Sequence, residues 1–276
     1  LCAVLFIIIS PVAGFGLLEA SESDDDQPTE QPPKQSEPSD DANGAGSSEP
    51  GASQPASLEP VPVYEQMLPG SAGVADPTYY SLGFTSESVY GSMTVREDPG
   101  RGGFSAELTV INAITDETLV EADALNWDHE QVADLAYPDD LETIADYFID
   151  FWADEYGEFG LAPRDASHRG SFKDLPIEYE GVEYFAEFDV VYGGEDPAFD
   201  NIEAYDFWLR GANDMRKLVY SASPRAVEVA ASGYFASPFE DRVVIVLLEK
   251  RYSFEGHEPF AVLTGSNMAV GFEPVE

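Results

Sequence analysis

The chain predicts a mainly β fold with one amphipathic helix, its antiparallel strands paired in propeller-like or sandwich-like hairpins. Three observations carry that expectation. Val243–Leu248 is the longest uninterrupted apolar segment outside the amino terminus, four of its six residues are β-branched, and Glu249, Lys250 and Arg251 follow it. A run this short and apolar suits a strand buried on both faces. Phe104, Ala106, Leu108 and Val110 alternate with polar residues, and Val182, Tyr184, Ala186, Phe188 and Val190 alternate with mostly acidic ones. Period two marks half-buried strands. Finally, Leu141, Ile144, Ala145, Phe148, Phe151, Trp152 and Tyr156 recur at helical spacing as a single stripe. Asp139 or Asp140 can cap this helix and Gly157 or Gly160 can end it.

In chain order, Thr85–Ser88 reads as a polar turn between strands 80–84 and 89–95, followed by a loop over 96–103. Thr115–Glu117 turns the chain again after strand 104–110 and before 118–120. Beyond the helix, Glu180-Gly181 joins 177–179 to 182–190 as a two-residue hairpin. An acidic loop over 193–201 leads to strands around 205–209 and 218–221, turned at Gly211–Asp214. The remainder reads as strand 227–235, turn 236–240, core strand 242–248, loop 253–259, strand 260–264 and a short strand near 269–272. The segments 81–97 and 232–250 share an aromatic, a polar turn and a β-rich return strand, like degenerate propeller hairpins. Two copies separated by a helix do not make a propeller of ~40-residue blades.

The amino-terminal part is not domain material. Residues 1–18 are apolar and uncharged and run into an acidic Pro/Ser-rich tract, which reads as a truncated signal peptide over 1–20, with a membrane anchor as the competing reading. Residues 21–62 have almost no large apolar side chain and are expected to be a disordered linker. Residues 63–276 are expected to form a single β-rich globular domain. Cys2 is the only cysteine, so disulfides and thiolate metal sites are excluded.

Formal net charge is −40, and the linker does not account for it: residues 61–276 hold 42 acidic against 12 basic side chains. Such a domain repels itself until salt shortens the Debye length to about 3 Å at molar ionic strength. Lysine is scarce, with four beside nine arginines. A halophilic source is expected. Nucleic-acid binding is excluded, because phosphate contacts need a basic face.

No motif announces chemistry. His129-Glu130 begins like H-E-x-x-H, but Ala133 stands where the second histidine is needed. G-x-S-x-G is absent, and His129, His168 and His257 are far apart in sequence. Fifty-three carboxylates leave any glycosidase-like pair without discriminating power. Glu195, Asp196, Asp200 and Asn201 offer hard oxygens to Ca²⁺ in one loop, in no EF-hand spacing.

The order of features resembles a known family. Gly83-Phe84 in the first hairpin, Glu155-Tyr156-Gly157 at the helix end, Phe207 and Leu209, and above all Phe254-Glu255-Gly256-His257 before Phe260–Gly265 look like the predicted secreted bacterial proteins called domain of unknown function 2259. The resemblance spans about residues 78–266, departs from that family's S-P-D-G-R turn at Thr85–Ser88 and at Ser237–Arg242, and implies export without supplying a catalytic residue. The sequence therefore points to an exported, non-enzymatic domain, secreted, periplasmic or on the outer face of the envelope. Membrane tethering would run through the amino-terminal segment alone, and the protein or glycan partner stays open. A glycan-directed extracytoplasmic hydrolase and a calcium-stabilised binding module are the alternatives. No catalytic, cofactor or metal residue is assigned, and Phe254, Glu255, Gly256 and His257 are the candidate functional loop.

Overall fold

The computed structural model describes residues 58–65, 67, 77–97, 103–125, 141–193, 201–253 and 256–275, all within the compact unit Ser53–Glu276. Their fold is mainly β and antiparallel throughout, in two sheets with two short helices. The first sheet is a meander in the order β1 (Pro60–Val61), β2 (Thr78–Phe84), β3 (Val89–Glu97), β4 (Phe104–Asn112) and β5 (Glu117–Leu125). The helices α1 (Leu141–Phe151) and α2 (Ala153–Gly157) follow it. The second sheet is built from β6 (Phe172–Lys173), β7 (Ile177–Tyr179), β8 (Val182–Gly193), β9 (Asn201–Gly211), β10 (Met215–Ala222), β11 (Ala226–Ala236), β12 (Arg242–Ser253), β13 (Gly256–Asn267) and β14 (Glu273–Pro274). Its spine runs β13-β12-β11-β9-β10-β14, with β8 on β9, β7 on β8 and β6 on β11. The arrangement is sandwich-like, without a closed barrel.

β12 is buried on both faces, as its composition requires. Val244, Val246 and Leu248 enter a core with Phe84, Tyr90, Ile111 and Phe235, between the two sheets. Val243, Ile245 and Leu247 enter another with Tyr184, Tyr205, Phe207 and Leu209 from β8 and β9. A third core lies between α1 and the outer side of the first sheet, where Ile144, Ala145, Phe148 and Trp152 meet Leu82, Met93, Leu108 and Val110. The described residues are thus layered as helix, sheet, β11–β13, then β8–β10.

Several details differ from the pattern. The single helix is two, because Trp152 leaves helical geometry at φ −99° and ψ 20°. Its stripe includes Ile149, fully buried, whereas Phe151 is 41% exposed, so the buried face is rotated toward Ile149. Pro60 and Val61, placed in the linker by composition, pair with Tyr80 and Tyr79. The loop drawn over 253–259 is mostly strand: β13 starts at Gly256 and pairs with β12 along its whole length. The short strand expected near 269–272 is a turn, and β14 follows it.

β13 ends the spine of the second sheet, and a turn of the first sheet covers part of it. Asn112 Oδ1 accepts from the backbone N–H of Ile114 and Thr115, shaping the β4–β5 turn. Asp116, at φ 58°, then accepts from the Gly265 N–H at 2.6 Å and the Thr264 hydroxyl at 3.1 Å. Arg242 Nη1 donates to the Ala113 carbonyl at 2.9 Å. The approach leaves no room for a side chain, since a Cβ on Gly265 would lie 1.9 Å from the Ala113 oxygen.

Gly265→Ala is expected to destabilise the domain by about 2 kcal/mol or more, as overpacking does. Gly157→Ala, whose Cβ would meet nothing within 4 Å, is expected to be neutral or slightly stabilising. Urea unfolding of both variants in molar salt checks the pair; equal midpoints would remove the docking argument.

Candidate functional site

Where the two sheets part, the inter-sheet core opens into a cleft of about 790 Å³. β1 and β2 supply one wall through Val61 and Ser81, and β6 and β11 supply the other through Phe172 and Phe235. The segment 166–171 closes one side with Arg169. Its path is fixed at the β2 bulge: Gly83 has φ +98°, Phe84 N–H donates to the His168 carbonyl at 2.8 Å, and His168 Nδ1 lies 3.1 Å from the Phe84 carbonyl. A Cβ on Gly83 would sit 2.7 Å from the His168 oxygen. His168 is therefore a loop anchor.

The floor is apolar with one hydroxyl. Phe235 is buried, its ring 5.2 Å from that of Phe172. Ser81 is also buried, and its Oγ accepts from the Tyr90 hydroxyl at 3.1 Å. The Tyr90 and Tyr79 hydroxyls are 3.4 Å apart. Burial pushes both phenols well above their usual range, so they stay protonated and act as donors. Higher up, Arg169 is half-buried, and Lys173, Glu59 and Asp174 are exposed at the rim. The arrangement can hold an amphiphilic molecule, with its apolar part on the rings and its polar part among the charges.

The loop singled out by sequence is elsewhere. Phe254 and Glu255 lie outside the described residues; Gly256 pairs with Ser253 and His257 with Tyr252 at the tip of the β12–β13 hairpin. The His257 and Tyr252 rings are 4.6 Å apart, and neither residue lines the cleft. Glu195, Asp196 and Asp200 also lie outside the described residues, as do His129, Glu130 and Ala133. Asn201 begins β9, its Oδ1 buried without a hydrogen bond among the described residues. Among the described residues no group of three or more His, Cys, Asp or Glu side chains is placed to hold a metal ion.

Beside that hairpin, Arg96 of the first sheet reaches the second. It meets Glu258 at 3.4 Å and lies 5.2 Å from the Phe260 ring centroid, with Arg251 5.0 Å from the same ring. Burial raises the pKa of Glu107 on β4, and Arg96 opposes the shift only in part. A carboxyl raised in the fold contributes stability below its unfolded pKa and loses it as pH climbs through the folded value. Glu107→Gln should therefore gain on the parent chain as pH rises from about 4 to about 7. Urea midpoints across that range test the sign; a constant difference would contradict the burial argument.

In sequence, nothing joins residues 59–61, 81, 166–174 and 235 into one site. The only available signal was the rarity of cations, which marks Arg169 and Lys173. Compared with known proteins, the chain matches no family model, no curated protein and no solved structure.

Proposed function

We propose that this chain is an exported, acid-rich binding domain that works outside the cytoplasmic membrane or in the envelope at high salt, and that it holds a ligand in the cleft without transforming it. The observation that carries the reading is the acidic excess in residues 61–276, 42 acidic against 12 basic side chains, set around cores that are mainly apolar. Glu183, Asp189 and Glu203 project outward from β8 and β9, alternating with core positions. The buried Glu249 is held by the Tyr205 hydroxyl at 2.8 Å and by Arg251. The fold therefore places its excess charge in solvent, where screening decides its cost. Binding is favoured over hydrolysis at Ser81 because its neighbour Tyr90, kept protonated by burial, cannot serve as a base.

Glu59 and Asp174, two carboxylates on one rim, favour glycan hydrolysis as the second reading. Turnover of a polysaccharide at high salt, abolished by Glu59→Gln or Asp174→Asn, would replace the binding reading. A melting temperature lowered by chelator in constant salt would support the calcium-stabilised alternative. Cell fractionation tests export directly.

Between about 0.1 and 3 M KCl the melting temperature is expected to rise by about 10 °C or more, as a gain of several kcal/mol requires. Calorimetry checks it, and a melting temperature indifferent to salt would sink the adaptation to brine.

A further inference from the structure

β8 leaves most of one edge bare. It pairs with β9 from Tyr184 to Gly193, but with β7 only over Val182–Tyr184. Beyond Tyr184 no described strand lies on its other side. The Ala212 N–H donates to the Glu183 carbonyl at 2.9 Å, so the backbone groups of Glu183 face β9. Along an antiparallel strand those groups alternate between the two sides. Phe185, Glu187 and Asp189 therefore bond toward β9, and Ala186, Phe188 and Val190 turn their N–H and C=O groups to the open side. The stretch is also apolar. Phe185, Val191 and Tyr192 are 46%, 54% and 62% exposed, whereas β5, at the edge of the first sheet, exposes no large apolar side chain among the described residues. Residues 185–192 hold neither lysine nor proline, and a long edge of this kind is a template for another strand.

We propose that β8 pairs with β8 of a second copy of this chain, antiparallel about a twofold axis at Phe188, to form a closed dimer at high salt. That axis sets Ala186 against the partner's Val190 and Phe188 against the partner's Phe188, so the open backbone groups of all three residues are matched. Moving it one residue toward β7 sets Val190 against the partner's Tyr184, which is already paired with Ile177. Moving it the other way sets Ala186 against the partner's Tyr192, beyond the irregularity that follows Val191. On the outer face the same axis lays Phe185 on the partner's Val191, an aromatic and β-branched pair of two exposed side chains. The edge therefore complements itself in backbone and side chains together, and the isologous pairing uses it up. Glu187 meets the partner's Asp189 as well. Arg210 lies 3.5 Å from Glu187, but Asp189 already stands opposite Asp206 of β9. Like charges opposed across strands are destabilising, so these carboxylates guard the edge in dilute salt. At molar ionic strength the Debye length of about 3 Å lifts the guard. The interface is separate from the cleft, which no residue of β8 lines.

The test is sedimentation equilibrium of the full chain at about 50 μM in about 0.1 and 3 M KCl, with Asp189→Asn and Val190→Pro beside the parent. The parent is expected as a monomer of 30.0 kDa in the first and at twice that mass in the second. Asp189→Asn is expected to associate about fivefold more tightly at intermediate salt, a gain that loss of structure cannot imitate. Val190→Pro removes an N–H that the monomer leaves open, a place where an edge strand accepts proline, and is expected to stay monomeric in brine. A parent that is monomeric in 3 M KCl overturns the proposal, and so does a mass that grows beyond the dimer. A dimer undisturbed by Val190→Pro, or an Asp189→Asn chain that associates as the parent does, overturns it too. Should the proline unfold the chain, the Asp189→Asn comparison decides alone. A parent that stays monomeric while its melting temperature rises with salt removes the dimer and leaves the adaptation to brine.

Discussion

Six consecutive apolar side chains on β12 alternate between two cores, Val244, Val246 and Leu248 on one side and Val243, Ile245 and Leu247 on the other. A strand of this kind requires a layer on each face, and the rest of the chain supplies them. The first sheet covers one face and β8–β9 the other, while β11 and β13 pair along its edges. Each aliphatic residue buried there contributes about 1.5–3 kcal/mol relative to exposure, so a single exposed face would forgo much of the core. The boundary falls at Glu249, still 1% exposed, whose carboxylate is taken up by Tyr205 and Arg251. The Arg251 side chain is 41% exposed, but it supplies the charged partner of this buried carboxylate, so it supports the end of β12 as the valines support its middle.

The few cations explain how the sheets are joined. Arg242 reaches from the second sheet to the Ala113 carbonyl of the first, and Glu240 beside it accepts from Ser88. Arg96 reaches in the other direction, to Glu258 and to the Pro259 carbonyl. Both tasks ask one side chain for several donors in a fixed plane, which a guanidinium offers and an ammonium does not. The nine-to-four excess of arginine over lysine in the chain fits this use. Lys217, the lysine turned inward, is half-buried on two carbonyls, and burial pushes its pKa down.

Strands with their own periodicity were legible in the sequence because each residue's environment is set locally by the pleat. The alternation at 104–110, the hairpin at Glu180-Gly181 and the two-faced burial of 243–248 all stand in the structure. What was not legible depends on a distant partner. β1 and β6 are two residues each and exist only through β2 and β11. β13 begins four residues before the apolar stretch Phe260–Leu263, because β12 continues past Leu248 and offers it a ladder. Ile149 and Phe151 flank the stripe on opposite sides of the same helix, and which of them is buried depends on where the sheet lies. The cleft combines residues as far apart as Glu59 and Phe235, with no spacing to read. Phe254–His257 drew notice as a motif, yet its described part is the end of a strand ladder.

The internal likeness between 81–97 and 232–250 gains a physical meaning from the pairing registers. The first is the β2–β3 hairpin and the second the β11–β12 hairpin, and each carries an irregularity at the same place, between Ser81 and Gly83 and between Ala231 and Gly233. A bulge bends its strand and increases local twist. The cleft lies beside both bulges, with Ser81 on one strand and Phe235 on the other. Tyr90 and Phe235, 5.4 Å apart, mark where the packed core ends. The two hairpins thus share a bulge in addition to the aromatic, polar turn and return strand of their sequences, and Arg169 and Lys173 are presented at the cleft beside them.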